Sequence, residues 1–313
     1  MKYIRTYGDY NSWKTDYSDP SRGFRLKPTL YKYSDVSVES KILLENDDPR
    51  KHGDSTYMEI YLDSDTEFSF YIDNKLSDAQ TTITCTIDWG DGTIETKTIT
   101  KDDKGFKLSH NYVANSYHIE LYGVERDYSI VGNGSLPLIS HPSSIKRVIL
   151  GIGVVRIGGY TFYRCSSLTS INIPEGVTKI DFDAFEDCSS LTSINIPEGV
   201  TEIGGYVFRN CTSLKSIYLP EGITTINQAT FYMCSSLTSI NIPEGVTNIG
   251  HHAFNNCSSL TSISSLNTTA PTLGISVFAS LPTNGTLHIK PGATGYDAWL
   301  SKLPSGWVIV EDL

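Results

Sequence analysis

Apolar residues return along the second half of this chain at fixed places. Between Cys165 and Cys188 they stand at Leu168, Ile171, Ile173, Val177, Ile180 and Phe185, and the same spacing follows each of the next cysteines. Cys165, Cys188, Cys211, Cys234 and Cys257 lie 23 residues apart, and the letters CSSLTSINIPEGV recur unchanged at 165–177, 188–200 and 234–246. A constant period in the twenties predicts a solenoid. Pro142 fills the cysteine slot of an earlier, degenerate copy, so five full turns run from 142 to 256 and a partial sixth begins at Cys257. Leu-x-x-Ile-x-Ile predicts a short strand with alternate side chains inward. Pro174, Pro197, Pro220 and Pro243 end that strand, because proline donates nothing to a ladder. Glu-Gly then turns the chain into a second extended piece, Val-Thr-x-Ile. One such turn buries too little apolar surface to offset the entropy of ordering it, so the turns must stack.

The front of the chain alternates with period two instead. Met58, Ile60 and Leu62 form one run; Phe68, Phe70 and Ile72 a second; Ile83, Cys85, Ile87 and Trp89 a third; Tyr117, Ile119 and Leu121 a fourth. Short alternating runs separated by turn residues predict an antiparallel β-sandwich over 57–127. Residues 128–141 read as a linker leading into the solenoid. Residues 1–56 are polar and tyrosine-rich (Tyr3, Tyr7, Tyr10, Tyr17, Tyr31, Tyr33), and read as an attachment arm that orders against a partner, or as extra strands.

The unit CSSLTSINIPEGVTKIDFDAFED resembles the BspA-type leucine-rich repeat, matching its Leu, Ile, Pro, Val, Ile, Ala-Phe and Cys positions in phase over 142–280. That family consists mainly of non-enzymatic surface and adhesion proteins, so the resemblance implies binding without naming a ligand. GTLHIKPGATGYDAWLSKLPSGWVIVEDL resembles the closing segment of the same family. It is expected to place a strand at 286–290, a helix near 294–303 presenting Trp299, and a last strand at 307–311, so that 281–313 caps the array. IDWGDGT at 87–93, with HNY at 110–112 and YHIELYG at 117–123, resembles the PKD-type immunoglobulin-like domain, which implies a spacer or binding module. The fold class is thus mainly β: a PKD-like antiparallel sandwich, a leucine-rich solenoid of 23-residue turns and a small α/β cap.

Charge narrows the partners. The net charge is −10, and 57–141 carries 6 basic against 14 acidic residues. Nucleic-acid affinity rests on Lys and Arg neutralising phosphates, so that partner is excluded. No run of about 18 apolar residues is present to span a membrane. The start, MKYIRTYGDYNSW, has no apolar run behind its basic residue and does not read as a secretory signal. Export would then require a trimmed signal, and assembly without export is the other route. The cysteine ladder reads as buried, free thiols packing the turns, since it offers an odd number in register, no histidine and no Cys-x-x-Cys.

Few residues suggest chemistry. Asp88 and Asp91 offer fewer oxygens than calcium needs, and Asp-Gly reads as a hairpin turn with Trp89 filling the core. His251 and His252 sit at a variable slot and read as surface. Glu175, Glu198, Glu221 and Glu244 form a row of like charges in solvated turns, and the sequence supplies no pair of carboxylates converging in a pocket about 5–10 Å apart, as a glycan-active enzyme needs, outside those repeated turns. No metal or cofactor is called for. The slots after the second strand and after the invariant phenylalanine vary from turn to turn, and the aromatic and arginine side chains there are the usual anchors of recognition. Tyr160, Tyr163, Tyr206, Arg209, Tyr218 and Tyr232 are therefore the expected binding patch. The reading is a non-enzymatic surface-displayed protein that binds protein or glycan. Its first setting is a phage virion, as a decoration or fibre protein joined to the particle through its N-terminal region. The alternative is a secreted bacterial adhesin, and a glycan-active enzyme comes third; homo-oligomerisation is left open.

Overall fold

The computed structural model describes residues 3–6, 29–32, 56–62, 65–74, 82–100, 106–122, 128–130, 141–151 and 154–313. The expected arm at 1–56 lies outside the described residues except for 3–6, 29–32 and Thr56. The chain divides into two compact units, 1–53 and 54–313. In the first, Tyr3–Thr6 pairs antiparallel with Thr29–Lys32.

In the second unit the front strands form two sheets. One carries Ile94–Thr100, Thr82–Asp88, Asn115–Tyr122 and Thr56–Leu62 in that order; the other carries Phe106–Tyr112, Thr66–Asn74 and Tyr128–Ile130. Alternation puts Ile60, Leu62, Cys85, Ile87, Tyr117 and Ile119 of the first sheet and Phe68, Leu108 and Tyr112 of the second into one buried cluster with Trp89. The 88–93 turn closes on itself. Asp88 Oδ1 accepts from the Gly90 amide and Asp91 Oδ1 from the Thr93 amide, each at 2.9 Å, and Gly90 and Gly92 take the positive φ the turn demands. Asp91 Oδ2 also lies 2.8 Å from His110 Nε2, whose ring stacks on Trp89. Asp88 thus spends one oxygen on the turn, and Asp91 spends one on the turn and one on His110.

Both front sheets run on into the solenoid. Thr56–Leu62 pairs antiparallel with Ile145–Ile149, which pairs parallel with Ser170–Asn172. Tyr128–Ile130, within the stretch read as a linker, pairs with Thr66–Asn74 on one side and with Val154–Ile157 on the other. The front segment therefore covers the first solenoid turn with hydrogen-bonded strands, and the first core layer is not left open.

Each solenoid turn has three sides. The Leu-x-x-Ile-x-Ile stretch builds one parallel sheet and the Val-Thr-x-Ile stretch a second, with partners 23 residues apart, such as Ser193 with Ser216 and Lys179 with Glu202. The third side carries the invariant phenylalanine. Phe162, Phe185, Phe208, Phe231, Phe254 and Phe278 stack at 5.2–6.1 Å between centroids, with interplanar angles of 4–16°. Cys188, Cys211, Cys234 and Cys257 are fully buried beside this stack, and each thiol donates to the phenylalanine carbonyl one turn back, at 3.1–3.2 Å. That carbonyl also accepts the amide of the cysteine three residues after it, as in Cys188 to Phe185. Burial pushes the thiols well above their ordinary pKa, Cys257 to about 12.

The sixth turn holds one extra residue, and the offset becomes 24 at Asn248 with Thr272 and at Ser262 with Thr286. The extra residue lies where Asn267 Nδ2 donates to the Pro243 carbonyl and Tyr296 donates to Ser265 Oγ at 2.7 Å. The helix expected near 294–303 is a single turn, Asp297–Leu300, and it sets Trp299 5.3 Å from Phe278 at the end of the stack. The expected strands are Thr286–Ile289 and Val308–Glu311, which pair with each other in parallel.

Candidate functional site

The third side of the solenoid holds most of the variable residues, and its backbone explains how they are presented. Two residues per turn, four apart, adopt the left-handed conformation: Tyr160 and Arg164, Asp183 and Asp187, Tyr206 and Asn210, Ala229 and Met233, His252 and Asn256, with φ between 51° and 61°. Asp and Asn tolerate this region, whereas Tyr, Arg and Met occupy it at a cost of roughly 1–2 kcal/mol each. Inter-turn hydrogen bonds offset that cost. The amides of 160, 162 and 164 donate to the carbonyls of 182, 184 and 186, and the set repeats in each following turn. The intervening amides turn back within their own turn, as Tyr163 does to Tyr160 and Cys165 to Phe162. Slots that vary freely in sequence are thereby fixed in space.

Stacking also demands close approach. A Cβ added at Gly204 would lie 2.4 Å from the Phe182 amide nitrogen, and one at Gly250 would lie 2.6 Å from that of Gln228. Where that slot holds Asp181, the side chain is drawn into an ion-pair row along the second sheet. Arg156 and Lys179 both contact Asp181, and Lys179 also reaches Glu202 at 2.7 Å.

Five of the six expected patch residues come together on the third side. The Tyr160 ring stands edge-on to Tyr163 at 5.5 Å and to Phe182 at 5.1 Å. Arg209 is held between Tyr206 and Tyr232, its guanidinium 5.9 and 5.7 Å from their centroids, while Nη1 lies 3.2 Å from Glu186 Oε1. Gln228 donates to the Tyr206 hydroxyl. Tyr218 is placed elsewhere. It follows Ser216–Ile217 on the outer face of the first sheet, and its hydroxyl hydrogen-bonds with Glu198 in a Pro-Glu-Gly turn, so it is not part of the cluster.

The structure also assembles a group that the slot comparison missed. Asp183 and Glu186, nine-tenths or more buried, are hydrogen-bonded to each other, and Tyr160 hydrogen-bonds to Asp183. Burial and the neighbouring Asp183 push Glu186 up to about 8, against the pull of Arg209. The Tyr160 hydroxyl is raised as well, by burial and then by the Asp183 charge. This pair lies outside the Pro-Glu-Gly row. The left-handed residue at Asp183 folds positions i and i+3 onto each other, and the Glu186 amide returns to the Asp183 carbonyl at 3.3 Å. In sequence the signal was present but unweighted: 183 and 186 are both acidic in this turn alone, and the matching slots of the other full turns hold Tyr160 and Tyr163, Tyr206 and Arg209, Ala229 and Tyr232, or His252 and Asn255. The pair sits in direct contact under Arg209, without the gap for a sugar and a water that glycosidase carboxylates keep.

His251 and His252 have structural partners. His251 Nδ1 accepts the Ile275 amide at 2.7 Å, and His252, in the left-handed slot, has Nδ1 3.1 Å from Asn255 Nδ2. Glu175, Glu198, Glu221 and Glu244 are all exposed, and Glu244 pairs with Lys290 at 3.1 Å.

No curated protein matches the chain. Among solved structures it is similar to a leucine-rich repeat protein of Treponema pallidum, at 27% identity over 59% of this chain and 80% of that one, with a TM-score of 0.46. A leucine-rich repeat protein of Eubacterium ventriosum is 22% identical over 54% of this chain and 44% of its own, with a TM-score of 0.39. A leucine-rich cell surface protein of Faecalibacterium prausnitzii is 22% identical over 61% and 65%, with a TM-score of 0.37. The match thus spans less than two thirds of the length of the last two. Residues 141–283 match the BspA type leucine-rich repeat region in six copies.

Proposed function

We propose that the chain is a non-enzymatic, surface-displayed binding protein and that its ligand face is the third side of the array, centred on Arg209 between Tyr206 and Tyr232 and extending to Tyr160 and Tyr163. One observation carries the reading: the aromatic and arginine side chains gather on one rigid face, while the inward positions stay constant from turn to turn. Rigid aromatics and a stacked arginine lose little entropy on binding, which is why they anchor interfaces. The partner is a protein or glycan on another surface. The test is adhesion of the fluorescently labelled chain to a panel of cells. Tyr206→Ala with Arg209→Ala should cost at least tenfold in apparent affinity, at about 1–2 kcal/mol per anchor, and Tyr218→Ala should cost nothing. Equal loss from all three would sink the assignment.

The buried thiols favour one setting. Six free cysteines suit a chain folded in a reducing compartment and displayed after assembly, as a virion decoration or fibre protein is. In that setting the PKD-like front segment is a spacer and the N-terminal region joins the particle. Mass spectrometry of purified particles decides between this and a secreted bacterial adhesin.

A further inference from the structure

Beside the aromatic face, where the third side folds into the first sheet, lies a second surface feature that the proposed function does not use. It is an open trough of about 520 Å³ running across four turns. One wall holds a hydroxyl from every turn, Ser143, Ser166, Ser189 and Thr212, each directly after the cysteine slot. The other holds Arg164, Asp187 and Asn210, each directly before it, all in the left-handed conformation. We propose that this trough binds a neutral polysaccharide strand.

The geometry is built rather than incidental. The amides of Arg164, Asp187 and Asn210 donate to the next turn at 2.8–2.9 Å, and those of Ser166, Ser189 and Thr212 donate back across the trough floor to the same three residues at 2.7–2.9 Å. Asp187 ties the polar wall together. Its Oδ1 accepts from Asn210 Nδ2 at 2.7 Å, and its Oδ2 lies 3.6 Å from Arg164 Nε. The Arg164 guanidinium rests 5.0 Å from the Tyr163 ring. Stacked strands repeat about every 4.8 Å, so the four hydroxyls of one wall span roughly 14 Å and the three polar residues of the other roughly 10 Å. One turn advances by a distance comparable to one sugar ring, so successive sugars of an extended strand meet a hydroxyl from each turn on one wall and Arg164, Asp187 and Asn210 in succession on the other. In the following turn Met233 takes the slot of Asn210 and is exposed, which ends the polar wall.

The chemistry selects the ligand. Hydroxyl, carboxamide, carboxylate and guanidinium groups side by side suit a ligand that is hydroxylated throughout and both donates and accepts. A peptide strand is disfavoured, because the amides of Arg164, Asp187, Asn210, Ser166, Ser189 and Thr212 are already spent, which leaves no edge for strand addition. A polyanion is disfavoured by charge: Arg164 is balanced by Asp187 within the trough, and the chain carries −10 overall.

The test is calorimetric titration of the full chain with neutral gluco-, manno- and galacto-hexasaccharides, and with a hyaluronan hexasaccharide as the anionic control. At least one neutral probe is expected to bind. Ser189→Tyr, which fills the trough, should weaken it at least tenfold, and Asn210→Asp, which keeps the left-handed residue but faces Asp187 with a second carboxylate, should weaken it several-fold. Tyr206→Ala should leave it unchanged, so this site and the aromatic face can fail independently. Failure of every neutral probe at millimolar concentration, binding of the anion alone, or binding unaffected by both trough variants would each overturn the proposal.

Discussion

Replacing Glu186 by glutamine isolates the buried carboxylate pair. In the folded chain Glu186 titrates near 8 rather than near 4.5, because it is 7% exposed and hydrogen-bonded to Asp183. A raised carboxylate pKa means that the folded state holds a proton the unfolded state releases. The stabilising contribution is full below about 4.5 and is lost as pH rises to about 8. At 1.36 kcal/mol per tenfold, that displacement corresponds to a ceiling of about 5 kcal/mol between the two limits. Glutamine keeps the shape and can donate to Asp183, but it does not ionise. Urea unfolding of both proteins followed at pH 4, 5, 6, 7, 8 and 9 should give the nearest midpoints at pH 4. The parent should fall progressively behind from about pH 5, to a deficit of several kcal/mol by pH 8, with little further change at pH 9. Hydrogen exchange in the 181–211 turns should show the same divergence locally, which keeps the test valid if the array unfolds in stages. Parallel pH profiles for the two proteins would refute the shared-proton arrangement.

Three further perturbations probe the scaffold. Phe208→Ala removes a fully buried ring from between Phe185 and Phe231 and should cost about 3–5 kcal/mol of unfolding free energy, read by chemical denaturation. Gly204→Ala forces a Cβ to within 2.4 Å of a backbone nitrogen and should lower the melting temperature by several degrees. Gly205→Ala meets nothing closer than 3.1 Å and should lower it much less; equal shifts would refute the close-approach argument. Thiol labelling at pH 8 should be negligible on the folded chain, because burial holds the five array cysteines and Cys85 above their ordinary pKa, and should reach all six in denaturant without reductant. Rapid labelling of the native protein, or fewer than six thiols when unfolded, would contradict the buried ladder.

The solenoid was legible because inward positions obey one rule in every turn: Leu168, Ile171 and Val177 and their copies must fill the same volume. The continuity of the front sheets with the first turns left no trace in periodicity, since the pairing of Ile60 with Ile145 depends on two strands that each look complete alone. Tyr218 was grouped with residues from another side of the turn because variability alone does not say which way a slot faces. The Asp183 and Glu186 pair escaped for a related reason. Nothing about two acids three apart implies contact until a left-handed residue brings them together, and that conformation is imposed by the neighbouring turn.

The constant 23-residue offset has a consequence at the level of the gene. A segment encoding a whole number of turns can be duplicated or lost between any two copies of CSSLTSINIPEGV, and the phenylalanine stack, the thiol-to-carbonyl bonds and both sheets rejoin in register. The 24-residue last turn and its Trp299 lid move as a block, untouched by the exchange. Recombination between near-identical repeats therefore changes the length of the display surface, and the order of its variable side chains, in steps that need no compensating mutation elsewhere.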